Sequence, residues 1–167
     1  FIQVTAFSNS AKVVLDVAKG TYAEEYAKAN GVDYTVRSFV YVSVANGTCG
    51  ANAEWNFYEN GELVISGSGA MTNFASHSAQ PWANFRHLIK KVVIGKDITT
   101  VGNYAFAYCQ NIEAIEFEDG SALESIGVLS FFNCPKVVSV VLPETVTSIG
   151  AYGMGDCFAL ESVYVPQ

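Results

Sequence analysis

Three segments of the chain repeat one pattern at nearly constant spacing. Val101-Gly-Asn-Tyr-Ala-Phe106-Ala-Tyr-Cys109, Ile126-Gly-Val-Leu-Ser-Phe131-Phe-Asn-Cys134 and Ile149-Gly-Ala-Tyr-Gly-Met154-Gly-Asp-Cys157 stand 25 and then 23 residues apart. Each cysteine is followed by the same apolar steps: Ile112, Ile115, Phe117; Val137, Val140, Leu142; Leu160, Val163, Val165. A half-repeat, Ile89, Val92, Ile94, Ile98 and Val101, precedes them. The apolar-x-apolar step has the period of a strand. The stretch before each cysteine has room for no more than a single helical turn. A unit this short has no second layer on which to bury its apolar face, so it is stable only when stacked on copies of itself. Gly102, Gly127 and Gly150 close the second strand of each unit, where the chain needs either a positive φ or close backbone approach.

Composition narrows the function. The chain of 167 residues has room for one domain or two small ones, and half its residues are hydrophobic, many of them Val and Ile, which favour strands. A net charge of −7, with no basic run longer than Lys90-Lys91, argues against nucleic acid as a partner. No stretch reaches the roughly 18 to 20 apolar residues of a membrane helix; the richest run is Phe39 to Ala45. Phe1-Ile-Gln-Val4 lacks the basic start and cleavage site of a signal peptide, so any export signal is expected upstream and removed.

The repeated residues resemble the BspA-like leucine-rich repeat, a family of surface proteins. Asn103-Tyr-Ala-Phe-Ala-Tyr-Cys109 and Pro143-Glu-Thr-Val-Thr-Ser-Ile-Gly150 follow its unit most closely. The third unit departs, with Gly153-Met154 where Ala-Phe is usual, and the Ile112 to Ile126 unit carries two extra residues around Asp119-Gly120-Ser121. The resemblance implies a β-rich leucine-rich-repeat solenoid of short strands and single-turn helices over residues 89–167, with about three repeats and an open C-terminal end. Phe106, Phe131 and Met154 are expected to superpose in one interior column.

Upstream, Glu54-Trp-Asn-Phe-Tyr58 and Glu62-Leu-Val-Ile65 flank Asn60-Gly61, which reads as a hairpin with a type I′ turn. Ser66-Gly-Ser-Gly-Ala-Met71 and the residues to Gln80 read as loop, and Pro81-Trp82 and Phe85 resume the core. Cys49 to Trp82 is similar to the segment that starts such arrays, so residues 43–88 are expected to form a β-hairpin N-terminal cap. In residues 1–42, Lys12–Val17 and Val32–Val36 read as strands. Between them Thr21-Tyr-Ala-Glu24 has capping-box spacing and Asn30-Gly31 a stop, which predicts a helix from Tyr22 to Ala29. This small β-α-β segment resembles the closing element of such arrays, yet stands in front. The mismatch suggests a fragment of a longer surface protein, or self-association in which the front of one molecule covers the open repeat end of another.

Cysteines Cys109, Cys134 and Cys157 fall one per repeat without a C-x-x-C pair, which favours a buried column over a metal site; bridges between neighbouring coils stay open as an alternative, and Cys49 has no evident partner. His77 and His87 sit in no catalytic motif, and Ser66-Gly-Ser-Gly69-Ala is neither a nucleophile elbow nor a phosphate loop. Glu113, Glu116, Glu118, Asp119 and Glu124 lack calcium-loop spacing and read as a solvated face. Asn46-Gly-Thr48 matches a glycosylation acceptor. The expectation is a non-enzyme without cofactor or metal.

Alternation in the repeat strands turns Lys91/Val93, Ala114/Glu116, Ser139/Val141 and Ser162/Tyr164 outward. Stacked, these make a largely uncharged surface suited to a protein or host-surface component, as the adhesion role implied by the family suggests. The alternatives are glycan binding through Tyr104, Tyr108, Tyr152 and Tyr164, or passive spacing of other domains. The expected location is extracellular or at the cell surface.

Overall fold

The computed structural model describes residues 42–165 and, before them, two short strands. The chain divides into two units, Phe1–Tyr41 and Val42–Gln167. In the first, β1 (Leu15–Ala18) and β2 (Tyr34–Arg37) pair in parallel, with Leu15 opposite Tyr34. The helix expected over residues 22–29 lies outside the described residues.

The second unit opens with an antiparallel meander, β3 (Ser43–Thr48), β4 (Gly50–Tyr58) and β5 (Glu62–Met71). The expected β4–β5 hairpin is present, but its turn is not the two-residue type I′. The Gly61 N–H closes a turn on the Tyr58 carbonyl at 2.9 Å, and Gly61 alone takes a positive φ, 86°. Asn60 keeps an ordinary φ and instead accepts the Glu62 N–H on its side chain at 3.1 Å, fixing a longer loop.

The Ser66–Met71 stretch, expected as loop, is the second half of β5. Its glycines act at a corner. Residues Glu62–Ile65 pair in parallel with β6 (Lys91–Ile94), whereas Gly69 and Ala70 pair with β7 (Ile98–Val101). Gly67, at φ 84°, makes the bend, and a Cβ there would overlap the Asn52 carbonyl oxygen. One strand thus seeds two parallel rows. Along the first, β8 (Ala114–Phe117) follows β6, with Val92 opposite Ile115. Along the second, β9 (Ser125–Ile126) follows β7 and β11 (Ser148–Ile149) follows β9. A separate pair, β10 (Ser139–Val141) and β12 (Ser162–Tyr164), puts Val141 opposite Tyr164.

Single-turn helices do not form before the cysteines. The only helical element among the described residues is a 3-10 turn, Arg86–Leu88, ahead of the repeats. The segments that carry Phe106, Phe131 and Met154 instead take a positive φ twice each, at Tyr104 and Tyr108, at Leu129 and Asn133, and at Tyr152 and Asp156. Their amides point in two directions. The N–H groups of Tyr104, Phe106 and Tyr108 donate to Val128, Ser130 and Phe132 of the next coil, and those of Leu129, Phe131 and Asn133 donate to Ala151, Gly153 and Gly155. The intervening Ala105, Ala107 and Cys109 bond three residues back within their own coil. A helical turn would keep its bonds internal; here half of them join one coil to the next.

The predicted column forms and extends one place further forward. Trp82 stacks on Phe106 (5.4 Å between ring centroids, 13° between planes), and Phe106 stacks on Phe131 (4.9 Å, 17°). Met154, half-buried, packs against the same core. Gly102, Gly127 and Gly150 are glycine because of close approach, not hand: none has a positive φ, and a Cβ at each would press on the backbone of the neighbouring coil.

Candidate functional site

The front coil shows how stacking is terminated. In later coils the carbonyls of Val128, Ser130 and Phe132 accept amides from the coil before. Their counterparts in the first coil, Asn103, Ala105 and Ala107, are met by the Phe74 N–H at 3.1 Å, the Trp82 Nε1–H at 2.9 Å and the Gln80 Nε2–H at 3.3 Å. Gln80 Nε2 also donates to the Tyr104 carbonyl. Two side chains and one amide replace the missing coil, so these three carbonyls are paired there. Pro81-Trp82 was legible as a return to the core; the donor role of Gln80 was not.

All four cysteines are free. Cys109 and Cys134 are buried, and Cys157 half-buried; Cys134 Sγ donates to the Phe106 carbonyl at 3.4 Å and Cys157 Sγ to the Phe131 carbonyl at 3.2 Å. Burial pushes the Cys109 thiol up to about 12, and burial aided by the charge of Glu54 does the same to Cys49. The hydrogen bond with Cys157 and burial raise Cys134, while the same bond lowers Cys157 to about 7. No group of three His, Cys, Asp or Glu among the described residues is arranged to hold a metal ion. In the acidic stretch Glu116 pairs with Lys91 at 2.7 Å, and Glu118 accepts the Lys96 N–H at 3.0 Å. His77 packs on the Tyr108 ring at 4.7 Å, and Arg86 donates to the His77 carbonyl.

The outward strand residues grade from covered to open. Lys91, Val93 and Ala114 are half-buried; Glu116, Ser139, Val141, Ser162 and Tyr164 are exposed, Val141 and Tyr164 each at 62%. Between them lie the buried Val92, Ile94, Ile115 and Val140. The register places Lys91 beside Ala114, Val93 beside Glu116, Ser139 beside Ser162 and Val141 beside Tyr164. The four tyrosines do not share a platform. Tyr108 and Tyr152 are linked edge to face through Phe132 at 5.6 and 6.5 Å, Tyr104 is half-buried, and Tyr164 lies on β12.

Where β8 faces β10 the row is interrupted, because no backbone bond joins them among the described residues. A groove of about 420 Å³ runs there over Ile115, Phe117 and Val141, and a second of about 450 Å³ continues it past Asp119, Pro143 and Glu144.

Residues 83–167, half the chain, match the model of the BspA type leucine rich repeat region, in six copies. The chain belongs to the BspA-type leucine-rich repeat family. One solved structure shares the fold, and two others are similar to part of it. A leucine-rich repeat protein from Eubacterium ventriosum ATCC 27560 superposes with TM-score 0.51 at 20% identity, over 74% of this chain and 45% of that one. A leucine-rich repeat protein from Bacteroides capillosus ATCC 29799 gives 0.49 at 16% identity, over 73% of this chain and 99% of that one. A leucine rich cell surface protein from Faecalibacterium prausnitzii A2-165 gives 0.38 at 18% identity, over 75% and 44%. This BspA-type chain therefore spans less than half the length of the Eubacterium protein. No curated protein matches it. Among the described residues no helix is long and apolar enough to cross a membrane.

Proposed function

We propose that this BspA-type region is a non-enzymatic protein-interaction module of adhesion type, cell-surface or secreted, in which residues 43–88 cap a repeat solenoid. Its partner, a protein or host-surface component, docks on the outward residues of β6, β8, β10 and β12. The observation that supports this reading most is the pair Val141 and Tyr164, 62% exposed and opposite each other in register, while Val140, the residue before Val141, is 2% exposed. An apolar strip held open on a rigid sheet is what a contact surface requires.

The test is an array of purified extracellular-matrix and cell-surface proteins probed with the full chain and with Val141→Lys and Tyr164→Ala. Binding that falls roughly tenfold or more in both variants supports the reading. Hits retained unchanged by both would rule this face out. The run His77, Tyr108, Phe132, Tyr152 favours one second reading, glycan stacking along the turn edge; a glycan array in which only Tyr152→Ala loses signal would select it. Failure on both arrays leaves a spacer. Self-association belongs to the same proposal, since the amides of Tyr152, Met154 and Asp156 have no backbone acceptor among the described residues. Light-scattering mass over a concentration series is expected to rise, and a strict monomer ends that part.

A further inference from the structure

We infer that the trough between β8 and β10 takes a basic, extended segment of a partner protein, its apolar side chains lying on the floor and its lysine or arginine side chains turned to the acidic rim. The inference rests on the protein-interaction reading above and gives it a place and a chemistry. Three observations carry it.

The first is a run of peptide groups left open on both walls. Ala114 N–H bonds to the Lys90 carbonyl and Glu118 N–H to that of Ile94, so in β8 the even-numbered peptide groups face β6 and those of Ile115 and Phe117 face β10. Leu142 N–H bonds to the Tyr164 carbonyl, so β10 turns the groups of Ser139 and Val141 toward β8. No bond crosses between them among the described residues. The sequence explains one end of the gap. Gly95 N–H donates to Ile65 and Glu118 N–H to Ile94, but the next residue in this series is Pro143, which has no N–H, and the Phe117 carbonyl receives none. The Asp119–Ser121 loop, with its two extra residues, lines the same end.

The second observation is charge. The walls carry Glu113, Glu116, Glu118, Asp119 and Glu144, and among the described residues no lysine or arginine lines either groove. Among the described residues Glu116 alone of these is paired with a base, Lys91. The third is the apolar surface of Phe117 and Val141, which gives contact between the acidic walls over the buried Ile115 and Leu142. Carboxylates beside unpaired carbonyls suit ammonium or guanidinium donors, which have no acceptor function of their own. An acidic glycan would be repelled.

The probe is a fluorescein-labelled hexapeptide of alternating valine and lysine, followed by anisotropy against the full chain, with an alternating valine and glutamate hexapeptide as control. The lysine peptide is expected to bind roughly tenfold or more tighter than the glutamate peptide, and more weakly as salt rises. Two variants separate the causes. Glu144→Gln with Asp119→Asn is expected to weaken binding several-fold. Pro143→Ala restores the missing donor to Phe117, and is expected to protect the new amide from hydrogen exchange and to weaken binding as the trough closes. Equal binding of the two peptides, or lysine-peptide binding untouched by both variants, overturns the inference. If it falls while Val141→Lys and Tyr164→Ala still abolish capture on the protein array, the interaction reading stands without this trough.

Discussion

Phe131 has no exposed surface and lies face to face with Phe106 in the column that Trp82 begins. Truncating it leaves a cavity that two stacked coils cannot close, so Phe131→Ala is expected to cost about 3 to 5 kcal/mol in urea unfolding. A loss under about 1 kcal/mol would match a surface site and contradict the placement. The cysteines divide by the same geometry. Cys157 is half-buried and shifted down to about 7 by its bond with Cys134, whereas Cys49, Cys109 and Cys134 are buried and shifted up. A lowered thiol pKa raises the thiolate fraction through neutral pH, and thiolate is the nucleophile. In the folded chain, iodoacetamide is expected to modify Cys157 first, with its rate climbing between about pH 6 and 8. Mass spectrometry showing Cys109 or Cys49 modified ahead of it would sink this assignment. The column and the cysteine row were both legible from the sequence, because a fixed period stacks equal positions whatever the local backbone does.

At the scale of the element, legibility depended on what a short motif can encode. The β4–β5 hairpin and the repeat strands follow from alternation. The corner in β5 does not: Gly67 and Gly69 look like loop residues, and only the pairing of one strand with both β6 and β7 makes them a bend. The turns before each cysteine were misread for a related reason. Their short length fits a helical turn, but bonds to the adjacent coil go with two positive φ values per segment, and such bonds are invisible one segment at a time. The interruption at Pro143 needed the coordinates as well, since a proline matters here only because its counterparts donate. One element-scale prediction concerns the front edge. Trp82→Phe keeps the stack on Phe106 but leaves the buried Ala105 carbonyl without its donor, which is expected to cost about 1 to 3 kcal/mol. A change below about 0.5 kcal/mol, within the range of ordinary surface substitutions, would mean that the indole N–H has no such role.

Across the second unit the buried side chains form one continuous cluster from Cys49 to Leu142, and backbone bonds between neighbouring coils run alongside it. The front of the array is closed by Phe74, Gln80 and Trp82, the middle by coil-to-coil amides, and the surface left open is the outward strand face with its acidic trough. The family and the repeat fold were readable from the sequence; the surface proposed for a partner was readable only as a face, because its grading and the β8–β10 gap arise from how coils meet. The most direct test of the stacking is native-state hydrogen exchange of the backbone amides by NMR. The account predicts that the amides of Phe106, Tyr108, Phe131 and Asn133 exchange slowly, through opening of the coil pair, while those of Tyr152, Met154 and Asp156 exchange fast at concentrations where the chain is monomeric. Rapid exchange at Phe106 and Phe131, in a chain whose β4–β5 amides remain protected, would show that the coils do not bond to one another.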